Sequence, residues 1–186
     1  YSNTGLQWNP SSNSVFTLGY GVAWNGLLWV AVGDGSGNSI ATSTDGIYWT
    51  GQGTPVLNTG YGVTWGDNKW VAVGGGLLYG IATSSDGSNW TGQGGNVPII
   101  GHDVAWNGSK WVVVGDGPNT IAYSNTVDGS GNMIWHGLGN SIFSQTGYGV
   151  AWNGLLWVAV GDGSGNTIAT STDGITWAGL GNSIFS

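Results

Sequence analysis

The chain has 186 residues, with Lys69 and Lys110 as its only basic side chains, nine Asp, no Arg, no Glu and no Cys, for a formal net charge of −7. A nucleic-acid-binding face needs several clustered Lys and Arg, so this balance excludes nucleic acid as a partner, and it removes polybasic attraction to an anionic membrane. Without Cys there are no disulfides or thiolate metal sites, no apolar run approaches the roughly 18 residues of a membrane span, and the length suits a single domain over 1–186.

The chain opens on Tyr1 to Trp8, which lacks the pattern of a signal peptide. Trp8 precedes Trp24 by the same interval that separates Trp49 from Trp65 and Trp90 from Trp106. Residues 1–18 are therefore expected to be the second half of a repeat unit, with Trp8 on its last strand. From residue 19 a fixed period dominates: Val22-Ala23-Trp24 returns as Val63-Thr64-Trp65, Val104-Ala105-Trp106 and Val150-Ala151-Trp152. Such self-similarity marks a repeat architecture. It divides the chain into units 19–59, 60–100, 101–146 and 147–186.

Each unit reads as four short strands. In the first, strand A is Tyr20 to Trp24, and Asn25-Gly26 supplies the positive φ angles of a tight hairpin. Strand B, Leu28 to Val32, is apolar on both faces and is expected to lie between two layers. A Gly/Asp/Ser/Asn turn leads to strand C, Ile40 to Ser43, and Asp45-Gly46 turns the chain into a strand D that carries Trp49. Along strand A the bulky Tyr20, Val22 and Trp24 alternate with Gly21 and Ala23, a pattern that suits units nested face to face around an axis.

The second unit repeats this plan. The third is individualised: His102 stands where the others have Tyr20, Tyr61 and Tyr148, Asp103 replaces Gly21, Gly62 and Gly149, and Ser124 to Trp135 is longer than Ser43 to Trp49. Over 147–177 the fourth unit differs from 19–49 only at Thr167 and Thr176, a sign of duplication. Tyr1 to Thr4 matches Tyr123 to Thr126, and Gly137 to Ser144 recurs as Gly179 to Ser186, so both ends read as cuts through a continuing array. The expectation is an oligomer or part of a longer chain.

The C-to-D turn, Ser43-Thr44-Asp45-Gly46-Ile47-Tyr48-Trp49, recurs at Ser84 to Trp90 and Ser171 to Trp177. It resembles the Asp-box repeat of sialidase-like β-propellers, with Gly one residue closer to Asp than in the family pattern. The whole unit is also similar to repeats of large viral and bacterial surface proteins. The resemblance implies an all-β propeller of four-stranded antiparallel blades, four full repeats plus an N-terminal half-blade, or a segment of a larger ring. It also implies a structural role for Ser43, Asp45, Gly46, Trp49, Ser84, Asp86, Gly87, Trp90, Ser171, Asp173, Gly174 and Trp177.

Sialidase chemistry would need an arginine cluster to hold the substrate carboxylate, and there is no arginine. Paired Asp residues could in principle hydrolyse glycosides, but all except Asp103 fall in recurring turns. Asp34 to Asn38 imitates the start of a calcium loop, yet it lacks the sixth-position Gly and the terminal Glu, and reads as a polar hairpin turn. The sequence therefore predicts no enzyme, no cofactor and no metal site. The sequons at Asn89 and Asn107 carry meaning only on a secretory route. Candidate ligand-binding residues are Tyr20, Tyr61, His102, Asp103 and Tyr148, expected at one mouth of a central channel. The expected function is a non-catalytic display or adhesion module, outside the cell or on a virion or cell surface. The alternative is a multivalent carbohydrate-binding lectin with one site per blade, so glycans and other protein subunits are the partners considered.

Overall fold

The computed structural model describes residues 2, 5–7, 9, 10, 14–94 and 97–183. The described residues form strands and turns and no helix. The first unit comprises β1 (Leu18–Trp24), β2 (Trp29–Asp34), β3 (Ile40–Ser43) and β4 (Thr50–Gly51). The second comprises β5 (Thr59–Gly66), β6 (Lys69–Gly75), β7 (Ile81–Ser84) and β8 (Thr91–Gln93). The third is β9 (Ile100–Trp106), β10 (Trp111–Asp116), β11 (Ile121–Val127) and β12 (Met133–Gly137), and the fourth β13 (Thr146–Trp152), β14 (Trp157–Asp162), β15 (Ile168–Ser171) and β16 (Ala178–Gly179).

Within each unit the strands pair antiparallel in chain order. The first strands β1, β5, β9 and β13 pack side by side in that sequence. Single bridges, Gly75 to Ile100 and Asp116 to Thr146, stitch the second unit to the third and the third to the fourth. β1 and β13 do not pair, so among the described residues the sheets do not close into a ring. The A-to-B hairpins are set locally: Asn25 Oδ1 accepts the N–H groups of Leu27 and Leu28, and Gly26 takes φ 97°. Asp67 and Asn68 do the same job in the second unit with φ 49° and 54°, the positive values that a two-residue hairpin turn requires.

The apolar cores lie between units rather than within them. Val30, Val32 and Ile40 of the first unit pack on Val63, Trp70 and Ala72 of the second. Val71, Val73 and Ile81 of the second pack on Val104 and Trp111 of the third, and Val112, Val114 and Ile121 of the third on Val150, Trp157 and Ala159 of the fourth. Each unit therefore offers a valine face forward and a tryptophan/alanine face backward, and strands such as β6 and β10 are buried on both sides. The units can approach this closely because strand A is small on its forward side. A Cβ on Gly21 would meet the Tyr61 carbonyl oxygen at 3.1 Å and the Gly62 Cα at 3.3 Å, and one on Gly62 the His102 carbonyl at 3.2 Å.

One expectation is corrected here. The fourth strands are two or three residues long in three of the units and begin after the box tryptophans, so Trp49, Trp90 and Trp177 stand in the turn and are half-buried. Only the third unit, with its longer β11 and β12, carries its tryptophan, Trp135, within a strand. The most deeply buried tryptophans are those that open strand B, Trp70, Trp111 and Trp157. The expected half-unit falls partly on Tyr1, Asn3, Thr4 and Trp8, which lie outside the described residues, as do Ile184 to Ser186 at the other end. The described residues before β1 form no strand.

Removing a buried ring from a seat shared by two units leaves a cavity that neither unit can fill. Trp111→Ala is expected to cost about 3–5 kcal/mol, the half-buried Trp49→Ala less, and Lys69→Ala no more than about 0.5 kcal/mol. Denaturant midpoints of the three variants should rank in that order.

Candidate functional site

In every unit the register between strands A and B slips by one residue: at Gly19/Gly21, at Gly60/Gly62, opposite Val114/Gly115, and at Gly147/Gly149. The extra residues of these four β-bulges are Tyr20, Tyr61, His102 and Tyr148. A bulged residue leaves the ladder and its side chain is re-aimed. The four rings accordingly form a row along the inner strands, with centroids 5.3 Å apart for Tyr20 and Tyr61, 5.4 Å for Tyr61 and His102, and 6.0 Å for His102 and Tyr148. Tyr20 and Tyr148, at the ends of the row, are 48% and 55% exposed.

His102 and Asp103 do not serve each other. His102 Nε2 lies 3.1 Å from Asp116 Oδ2, close enough for an ion pair when the imidazole is protonated, at an angle that makes no hydrogen bond. Asp103 Oδ1 accepts the N–H of Val104 and Oδ2 accepts the N–H of Val150, in the next unit, at 3.0 Å. Burial pushes the Asp103 carboxyl above the usual carboxylate range, and these two N–H groups oppose that rise. Asp103 thus straps the third unit to the fourth where the other units have glycine. The Asp116 contact has no signature in the sequence, because Asp34 and Asp162 hold the same position opposite tyrosine.

At the opposite end of the strands, where Ser43 aligns with Trp29 and Trp24, stand the box turns. Ser43 Oγ accepts the N–H groups of Asp45 and Gly46, Asp45 Oδ1 accepts those of Ile47 and Tyr48, and the Trp49 indole N–H donates to the Gly46 carbonyl. The turn at Ser84, Asp86, Gly87 and Trp90 repeats this, as do Ser171, Asp173 and Gly174. Gly46, Gly87 and Gly174 take φ 73°, 80° and 72°. Donated backbone N–H groups hold the carboxyls low: Tyr48 and Ile47 for Asp45, Asn89 for Asp86, Thr176 and Ile175 for Asp173, which falls to about 2. The boxes of the second and fourth units also seat on the unit before them. Gly87 sits over Leu28, and the Asp173 carbonyl accepts the Lys110 ammonium, which lies 4.9 Å from the centre of the Tyr123 ring.

The third unit has no box, and the place where one would seat on Lys69 is an open cleft of about 170 Å³. Asp67, Lys69, Trp106, Asn125 and Thr126 line it. Asp128 instead closes the extended β11–β12 loop by accepting the N–H groups of Ser130 and Asn132. The longer loop was visible in the sequence, whereas the cleft follows from how two units meet. The Asp34 to Asn38 segment is a hairpin turn whose Asn38 Oδ1 accepts the Gly53 N–H, and among the described residues no cluster of three His, Asp or Glu could hold a metal ion.

No protein-family model and no curated protein matches the sequence. The chain is similar in structure to the GH74 enzyme of Niastella koreensis, with a TM-score of 0.60 and 19% identity over 96% of this chain and 27% of that one. It is also similar to an alpha-L-arabinofuranosidase of Clostridium thermocellum, with a TM-score of 0.45 and 12% identity over 94% of this chain and 76% of that one. Both neighbours are β-propellers. The likeness to the GH74 enzyme shows the fold, and this chain spans about a quarter of that enzyme's length.

Two outcomes follow from these carboxylates. In Asp103→Asn the amide has a single acceptor oxygen for two N–H donors, so the third-to-fourth seat is expected to lose about 1–3 kcal/mol, read as a lower denaturant midpoint. Asp173 has a folded pKa of about 2 against an ordinary 3.8, so its turn contributes stability above that ordinary value and loses it as pH falls from 3.8 to about 2. The gap in melting temperature between wild type and Asp173→Asn should be constant at neutral pH and shrink across that acid window.

Proposed function

We propose that the chain is a non-catalytic binding module of the Asp-box β-propeller kind, a rigid display or adhesion platform at an extracellular, virion or cell surface. The state of the box carboxylates and of Asp103 supports this reading. A general acid keeps a proton near neutral pH, which needs a raised pKa and a free oxygen. Asp45, Asp86 and Asp173 are held low by their own turns, and Asp103, though raised, spends both oxygens on backbone N–H groups. No arginine is present to anchor an acidic substrate.

A second reading, a carbohydrate-binding lectin, is favoured by the aromatic row. Sugar rings stack on aromatic faces, and four rings at 5.3–6.0 Å form a continuous strip. The cleft at Trp106, Asn125 and Lys69 offers an indole beside polar groups in one unit only.

Glycan-array screening followed by tryptophan-fluorescence titration separates the two. A lectin gives saturable binding that Tyr148→Ala weakens at the strip, or that Asn125→Ala weakens at the cleft. A platform gives no saturable signal on any glycan. Turnover of a glycoside substrate by the wild-type chain that disappears in Asp103→Asn would overturn the non-catalytic reading.

A further inference from the structure

Among the described residues the forward face of one unit and the backward face of the next meet three times, and the outermost described copy of each face is open. Val63, Val104 and Val150 are 8%, 3% and 7% exposed because the preceding unit covers them, whereas Val22, their equivalent on the first unit, is 57% exposed. Trp29 and Ala31 are half-buried where Trp70, Ala72, Trp157 and Ala159 are buried. At the other end the pattern inverts. Val158, Val160 and Ile168 of the fourth unit are half-buried and Ala151 is exposed, while Val30, Val32 and Ile40 of the first are completely covered by the second.

These two open faces match each other by sequence. Residues 147–177 reproduce 19–49 apart from Thr167 and Thr176, so the forward face of the fourth unit is the one that already receives a backward face at the first. Neither face carries a charged side chain at the positions named. Gly149 is as small there as Gly21, and nothing from a following unit stands over it.

We propose that the forward face of the fourth unit is a docking surface for the backward face of the first unit of a second copy of this chain, joined as neighbouring units are joined inside it. The contact is head to tail, because the two faces differ in shape: valines over glycine on one, tryptophans and alanine on the other. Head-to-tail contacts close into rings where the rotation allows. For the 186-residue stretch by itself the smallest such ring is a dimer with two equivalent contacts, and its eight described units lie within the roughly four to eight blades of closed propellers. This inference is independent of the ligand and stands whether the module is a platform or a lectin.

Sedimentation equilibrium of the 186-residue chain near physiological salt, where repulsion between copies of net charge −7 is screened, reads the result. Wild type is expected at about 38 kDa, twice the chain's 19.1 kDa. Val22→Arg blocks the backward face and Ala151→Arg the forward face. Each alone should run as a monomer that still melts cooperatively, at a temperature independent of its concentration, and an equimolar mixture should recover a dimer through the one intact pair of faces. Val158→Lys is the second forward-face variant, should Ala151→Arg unfold. A wild-type chain that stays monomeric at about 200 μM overturns the proposal, that being well above the micromolar range of a weak specific contact. So does a dimer that persists in either single variant, because a like-with-like contact would leave one of them paired.

Discussion

The seat between neighbouring units is the interaction on which everything else depends. No unit has an apolar core of its own. Each is a single sheet, and a sheet must bury its apolar face against another layer. Here the next layer is the next unit, so three shared cores hold four units, and Trp70, Trp111 and Trp157 each lie at one of them. The spacing of that seat is tight at Gly21 and Gly62, where a Cβ would come within 3.1–3.3 Å of the next unit's backbone. The glycine richness of the chain is therefore not a sign of looseness, and the conformational entropy that glycine loses on folding is offset by burial of large rings.

Polar groups secure the same seat from its two ends. At one end the box turns satisfy their own backbone through Ser and Asp, and those of the second and fourth units lay their glycine against the preceding unit, as Gly87 does on Leu28. At the other end the third unit has exchanged a close backbone contact for a carboxylate that reaches the Val150 N–H. The exchange carries a cost, because burial works against the charge, and only N–H donors on both oxygens make it tolerable. The bulges belong to the same design. Had Tyr20, Tyr61, His102 and Tyr148 stayed in the ladder, they would alternate with their neighbours across the strand. As extra residues they leave the ladder and line up with one another.

The third unit shows what individualising a repeat does. A box turn removed from one position leaves Lys69 without the partner that Lys110 finds in the Asp173 carbonyl, and a cleft opens beside Trp106. The same substitutions that break the period, His102, Asp103 and the long β11–β12 loop, fall in this unit alone. The third unit thus has one distinguishable place on each end of its strands.

The sequence by itself determined what depends on neighbours two to three residues apart. The strand period, the Asn25-Gly26 hairpin and the Ser43-Asp45-Gly46 turn were legible because their hydrogen bonds close within the segment that encodes them. The antiparallel all-β character followed from the same local signals. The tertiary structure alone decided which tryptophans are deepest, since Trp49 and Trp111 carry equal apolar area but only the latter sits between two layers. It alone joined Asp103 to Val150, His102 to Asp116 and Lys110 to Asp173, contacts that depend on how one unit is placed against another or how a bulge turns a side chain. It also decided that, among the described residues, the first and fourth units do not pair. Sequences at 19–49 and 147–177 that differ at two positions cannot say which of them has a neighbour on which side, and that position is what leaves Val22 exposed and Val150 buried.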